Sequence, residues 1–354
     1  MDKIIFTAIL IVFPFGQLLK FGFVNSIDIL VCLLAIITIS KKPKYPDWYK
    51  YFVSFILFCI FSLIFNYQIT EFKSILYLVR LVCYSLVAIY ISNLHIAKKL
   101  FTVHSSLITI AVASAIAGWL QYLFLPDIRF LRNFGWDDHL YRMVGTFFDP
   151  TYLALIILLG IIIAVYKKHN KIFYFLLISL AFTYSRSTYL ALGLFLLYKK
   201  KFLAIVIFVI TVFLLPKMLS EGTDFGRVVS NQNKLLNYAE TVGVFKKSPV
   251  IGVGFNNFCL VRTNVDPNSH ACFGSDSSVL LILATTGVVG FILFWYMVYG
   301  IWYIGKQNTI YYILNTSFVL VLVHSLFANS LFYPHTMFWL FALLGLGSKI
   351  NRQS

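Results

Sequence analysis

The chain has 354 residues, of which 60% are hydrophobic, 18% aromatic and only 12% charged. A soluble domain carries about a quarter charged residues, so this composition excludes one and requires an all-α, polytopic integral membrane protein. The formal charge of +16 would point to nucleic acid in a soluble chain. Here basic residues are first sorted by side of the bilayer, and no nucleic-acid partner is implied.

Apolar runs long enough to cross, or nearly cross, about 30 Å of hydrocarbon occur at roughly 4–20, 22–40, 51–66, 74–93, 100–124, 150–166, 171–184, 187–198, 202–216, 275–304, 310–332 and 335–348. They predict about twelve transmembrane helices in a single membrane domain over residues 1–354. The first run follows Met1-Asp2-Lys3, lacks a small-residue cleavage site before Lys20, and reads as a retained signal anchor. Alternate links are rich in lysine: Lys41, Lys42, Lys44 and Lys50; Lys98 and Lys99; Lys167, Lys168 and Lys171; Lys199, Lys200 and Lys201; then Lys306, with Lys3, Lys349 and Arg352 near the termini. The positive-inside rule places these links and both termini in the cytoplasm, which accounts for most of the net charge.

Arginines stand elsewhere: Arg80, Arg129, Arg132, Arg142, Arg186, Arg227 and Arg262. Lysine suffices for topology, whereas planar, bidentate binding of phosphate favours arginine. Arg80 falls roughly 10 Å below the outer end of its span. The runs 171–184 and 187–198 are only about 20 Å long each and meet at Tyr184-Ser185-Arg186-Ser187, which sets Arg186 at a similar depth. An arginine in a span costs about 3 kcal/mol and faces a cavity or a partner. Two at one level predict a polar cavity open to the outer leaflet; the plainer alternative is snorkelling or pairing with a nearby acid.

An outer loop at 125–149 carries Arg129, Arg132, Asp137, Asp138, His139 and Arg142. Asp149-Pro150 at its end fits an N-cap and first helical position, a terminus also able to help hold an anion. The longest loop, 217–274, begins with Lys217 and Arg227 and continues as an amphipathic helix from about Val228 to Phe245, lying on the outer membrane surface. Ser248-Pro249 ends it. Gly252 and Gly254 permit a tight turn, and Asn256 and Asn257 are placed to cap or to bond sugar hydroxyls. Cys259 and Cys272 share this loop on the oxidising side, which leaves a bridge between them open.

Asp276 stands at the entry to the next span, as an N-cap or as a general base towards a sugar hydroxyl. His270 is the competing base. His324 and His335 read as structural histidines or pocket polars. Asp137-Asp138 lacks metal-ligand spacing, and there is no phosphate loop of the Gly-x-x-x-x-Gly-Lys-Ser/Thr type, no His-Glu-x-x-His and no Gly-x-Ser-x-Gly elbow. Neither a metal nor another cofactor is expected.

The order of motifs resembles the O-antigen ligase and O-antigen polymerase superfamily of bacterial membrane proteins. The motifs are Gly145-Thr146-Phe147-Phe148-Asp149-Pro150-Thr151-Tyr152, Ser185-Arg186-Ser187, Arg227 early in a long outer loop, the segment Ser248 to Phe258, and Gly287-x-x-Gly290. Ligases of this superfamily carry a His followed by Asn, Ser or Gln, then nine residues, then Gly-x-x-Gly. Here the same spacing begins with Asp276-Ser277, and that departure favours a polymerase.

The resemblance implies a glycosyltransferase of the bacterial inner membrane that joins undecaprenyl-pyrophosphate-linked oligosaccharide repeat units at the outer face, without ATP or metal. Arg186 and Arg227, with Arg80 and Arg142, would hold the pyrophosphate, and Asp276 or His270 would serve the acceptor hydroxyl. A flippase and a chain-length regulator are the implied partners. The alternatives are an O-antigen ligase transferring glycan to lipid A-core, and a transporter or flippase of the lipid-linked oligosaccharide; no internal repeat of the kind transporters show is evident.

Overall fold

Helix ends in this protein are set by local chemistry inside otherwise uninterrupted apolar runs. The computed structural model describes residues 1–22, 24–94, 96–216, 222–224, 226–262, 272, 274–302 and 309–348, apart from the side chains of 21, 96–102 and 104. Lys217, His270, Lys306, Lys349 and Arg352, and the side chains of Lys98 and Lys99, lie outside the described residues.

Helix α1 (Asp2–Val12) stops well short of Lys20, because Phe13-Pro14-Phe15 forms a 3-10 turn in which proline supplies no backbone donor. Strands β1 (Lys20–Phe21) and β2 (Val24–Asn25) pair antiparallel. Asn25 then caps α2 (Ser26–Ser40) in a reciprocal box with Asp28. Helices α3 (Tyr49–Phe65), α4 (Phe72–Asn93) and α5 (Ile96–Phe124) follow.

Beyond the loop 125–149 come α6 (Pro150–Tyr166), α7 (Asn170–Ala181), α8 (Arg186–Tyr198) and α9 (Phe202–Leu214). Then α10 (Val228–Lys247) and the short α11 (Phe258–Val261) precede α12 (Ser278–Trp302), α13 (Thr309–His324) and α14 (Pro334–Gly347). Among the described residues, α4, the Ser105–Phe124 part of α5, and α12 are long and apolar enough to cross a membrane. The remaining apolar helices are shorter. Together they make an all-α membrane protein.

Helix α6 is buried on all sides, from Leu153 to Ala164, and forms the centre of the bundle against α5, α7, α8 and α13. Around it, α4 packs on α14 and α2, and α3 packs on α12. Leu57, Ile64, Phe213 and Leu214 are exposed on the outer faces, as lipid contact requires.

The break between α7 and α8 falls where the sequence places it, with Tyr184 in a left-handed conformation. Phe182 accepts from the Met143 amide at 2.9 Å, and the Tyr184 hydroxyl donates to Pro216 O at 2.8 Å. The junction therefore sits beside the loop 125–149 and the end of α9. Helices of 12 and 13 residues reach only about 20 Å from it.

Helix α12 opens at Gly287 (φ 65°). The amides of Val288 and Val289 turn to Pro249 O and Val250 O, at 2.9 and 3.2 Å, while Gly254 donates to Thr285 O at 3.0 Å. A Cβ at Gly252 would meet the Thr285 backbone, and one at Gly287 would meet Val250 O. These two glycines let the Ser248–Phe258 segment lie directly on the opened helix, which sets the position of Asn256 and of the chain leading to Asp276.

Candidate functional site

A polar cavity of about 1350 Å³ lies among the β1–β2 hairpin, α4, the loop 125–149, the α7–α8 junction, α10, the approach to α12 and the chain between α13 and α14. Helices α6, α8 and α14 begin at its wall, at Pro150, Arg186 and Pro334, and α10 begins one residue past Arg227, which is also in the wall. Each contributes the positive end of its dipole. Proline occupies the first turn of α6 and α14, where its missing donor costs nothing. Phe148, Tyr184, Arg227 and Asn256 hold left-handed backbone conformations around this space. Such strain in residues other than glycine clusters at functional sites.

Two arginines converge at the α7–α8 junction. Arg142 donates from Nε and Nη2 to Thr183 O, at 3.3 and 3.2 Å, and from Nη2 to Tyr184 O at 3.5 Å. Arg227 donates to the same Tyr184 O at 2.7 Å, to Asp224 O at 2.9 Å, and to Gly222 O. Both arginines are more than nine-tenths buried. Burial, reinforced by the charge of Arg227, pulls Arg142 down to about 9. Burial and the same two arginines hold His139 at about 3, so it is neutral beside them. Backbone carbonyls orient these cations but do not cancel their charge, and an anion between them would relieve the mutual repulsion.

Arg186 opens α8 and donates to Asn231 Oδ1 at 2.7 Å. Arg80 also reaches the cavity, but it is paired with Asp28 at 2.7 Å, and Asp28 further accepts from the Tyr84 hydroxyl at 2.9 Å. Pairing with an acid, one of the two expectations for Arg80, is thus what the fold contains. Asp28 itself carries no local sign of that role, being fifty-two positions away.

Asp149 caps α6, accepting from the Thr151 amide at 2.6 Å. Asp276 does not cap α12. Ser277 Oγ takes that place by accepting from the Leu280 amide at 3.3 Å. The Asp276 amide donates to Asn237 Oδ1 of α10 at 2.8 Å, and its carboxylate lines the cavity without a hydrogen-bond partner among the described residues. Burial raises its pKa, opposed by the nearby charge of Lys234. Lys234 donates to Phe327 O at 2.9 Å and feels Asp276, Arg186, Asp149 and Arg227 together.

Asn256 lines the cavity, and its buried Nδ2 has no partner among the described residues. Asn257 does not line it. Its Nδ2 is committed to Thr70 Oγ1 and Val253 O, both at 3.0 Å, so it ties the turn to α3–α4 rather than facing a sugar. Lys20 and Lys234 are wall residues that the sequence did not single out. Each lies outside the lysine clusters, the one signal that could have marked them. The Cys259–Cys272 bridge left open by the sequence is formed. Beside it, Arg262 pairs with Glu240 at 2.6 and 2.9 Å and donates to Cys272 O at 3.4 Å.

A comparison with curated proteins finds no match to this chain. Residues 143–295 match the family model described as O-antigen ligase, a region running from the end of the loop 125–149 into α12 and containing Arg186, Arg227, Asn256 and Asp276. The matched region covers less than half of the chain and supports the resemblance to the O-antigen ligase and polymerase superfamily.

Proposed function

We propose that the cavity is the active site of a polysaccharide polymerase that joins undecaprenyl-pyrophosphate-linked repeat units at the outer face of the bacterial inner membrane. The observation that carries this reading is the pair Arg142 and Arg227, buried side by side on the Tyr184 carbonyl. A diphosphate is the anion that two planar donors at one point suit best. The converging helix N-termini add to the same field.

The donor's pyrophosphate would bind Arg142, Arg227 and Arg186, with Lys234 nearby and Arg80 contributing at the edge from its pair with Asp28. The acceptor hydroxyl gives its proton to the Asp276 carboxylate as its oxygen bonds the anomeric carbon. The bond from that carbon to the pyrophosphate oxygen breaks, and undecaprenyl pyrophosphate departs with its charge held by the arginines. Asn256 is the candidate sugar contact. The topology in this reading has about twelve helices crossing or entering the bilayer, with both termini in the cytoplasm, and a flippase and a chain-length regulator as partners.

The second reading, an O-antigen ligase with a lipid A-core acceptor, has the description of the matching family model in its favour. A carboxylate at 276, where the resemblance to ligases calls for histidine, favours the polymerase. In a deletion strain that makes lipopolysaccharide, loss of a polymerase leaves core capped with a single repeat. Bare core with accumulated lipid-linked polymer would instead mark a ligase.

A further inference from the structure

Ser187 stands in the first turn of α8, beside Arg186, and lines the cavity. Its Oγ lies 3.1 Å from Nε2 of His324, the fully buried last residue of α13. On the other side of the ring, Nδ1 is 2.6 Å from Ser330 Oγ. The three side chains form a line from the cavity into the bundle.

The direction of that line follows from the single hydroxyl proton of Ser330. Its other acceptor, Ala328 O, is 3.5 Å away, at the limit of a useful bond, whereas Nδ1 is at 2.6 Å. Ser330 therefore donates to Nδ1, the ring carries its proton on Nε2, and Nε2–H donates to Ser187 Oγ. A ring nitrogen already bearing a proton cannot take one from Ser187, so this tautomer makes the serine a donor rather than an activated nucleophile. The Ser187 proton turns away from the ring. Ser185 Oγ, the alternative acceptor, is 3.4 Å away, too far for more than a weak O–H···O bond, so the proton is available to a molecule in the cavity.

We propose that Ser187 is a neutral hydrogen-bond donor to the pyrophosphate of the lipid-linked substrate, and that His324 is the positioning residue that fixes its hydroxyl in the donating orientation. The proposal rests on the reading of the cavity as a pyrophosphate site. A fixed hydroxyl beside Arg186 adds direction to a field that the cations supply as charge, and it meets the oxygen on which charge builds without reorganising.

The test uses the full chain in lipid nanodiscs, titrated with undecaprenyl pyrophosphate. The wild type binds. Ser187→Ala and His324→Phe weaken binding about tenfold, the scale of one lost neutral hydrogen bond. Ser187→Thr keeps the hydroxyl, and His324→Gln keeps an N–H towards Ser187 and an acceptor towards Ser330; both hold the affinity to within about threefold of wild type. A merely structural His324 would lower the melting temperature without His324→Gln restoring affinity. Undiminished binding by a folded Ser187→Ala variant overturns the proposal and leaves the pyrophosphate reading intact. Absence of binding by the wild type overturns that reading and the proposal with it. Should His324→Phe fail to fold, Ser187→Ala against Ser187→Thr decides.

Discussion

Arg142 and Arg227 donate to one backbone oxygen, Tyr184 O, at 3.5 and 2.7 Å. Each is held by carbonyls at the end of α7, so the two charges are fixed in place before any ligand arrives. Preorganised cations cost no reorganisation when charge develops on a leaving group.

Replacing either with alanine removes charge-assisted bonds of about 1.5–3 kcal/mol each. Turnover of lipid-linked donor is expected to fall about 100-fold or more for Arg142→Ala and for Arg227→Ala. Arg227→Lys keeps the charge but not the planar fork and does not restore the rate. Initial rates of polymer formation by the purified variants check this, and an Arg227→Lys enzyme working at the wild-type rate would show that the fork is not needed.

In the proposed mechanism Asp276 acts in its ionised form, so activity is expected above its pKa and is lost as pH falls through it. Burial raises that pKa, which places the acid limb of the rate profile above the ordinary carboxylate value of about 3.9. Lys234 opposes the rise. Lys234→Met is therefore expected to move the acid limb to higher pH, and Asp276→Asn to abolish turnover while undecaprenyl pyrophosphate still binds. The pH dependence of kcat/KM for Lys234→Met reads the first outcome, and initial rates together with titration of undecaprenyl pyrophosphate into Asp276→Asn read the second. An acid limb unmoved by Lys234→Met would count against Asp276 as the base.

The Arg80–Asp28 pair is largely buried, with side-chain exposures of 16% and 8%. Asp28→Asn leaves the arginine charge uncompensated, at a cost of about 3–5 kcal/mol, whereas replacing both partners with apolar residues costs far less. Melting in detergent should rank Asp28→Asn below the Arg80→Met/Asp28→Leu double variant. Equal melting temperatures would mean that the pair contributes no coupling.

The Cys259–Cys272 bridge closes a loop with a separation of 13 residues and adjoins the Arg262–Glu240 pair on α10. Its removal is expected to cost about 3 kcal/mol. Dithiothreitol should lower the melting temperature of the wild type to that of Cys272→Ser and leave the variant unchanged.

The sequence disclosed what one-dimensional chemistry can carry. Apolar runs became helices, the polar break at Tyr184-Ser185-Arg186-Ser187 became a junction, and Asp149-Pro150 became a cap. It also singled out Arg80, Arg142, Arg186, Arg227, Asn256 and Asp276, and the fold brings these to one cavity. What it withheld depends on distant partners. Nothing near Asp28 indicates that it neutralises Arg80, and nothing near His324 indicates that it faces Ser187. The cap of α12 was legible only as a choice between adjacent residues, and Ser277 taking it is what leaves the Asp276 carboxylate to the cavity. Asn257 stands outside the cavity wall because its Nδ2 closes the turn on Val253 O, a contact that nothing in the sequence around it indicates.

Whether a second lipid-linked repeat unit is the acceptor is decided by purified protein in liposomes, with undecaprenyl-pyrophosphate-linked repeat units as the sole substrate. A polymerase gives a ladder of lipid-linked products lengthening by one repeat at a time, with release of undecaprenyl pyrophosphate, and the Arg227→Ala protein gives no ladder. Transfer that occurs only when lipid A-core is added, with no lengthening of the lipid-linked glycan, would overturn the polymerase reading.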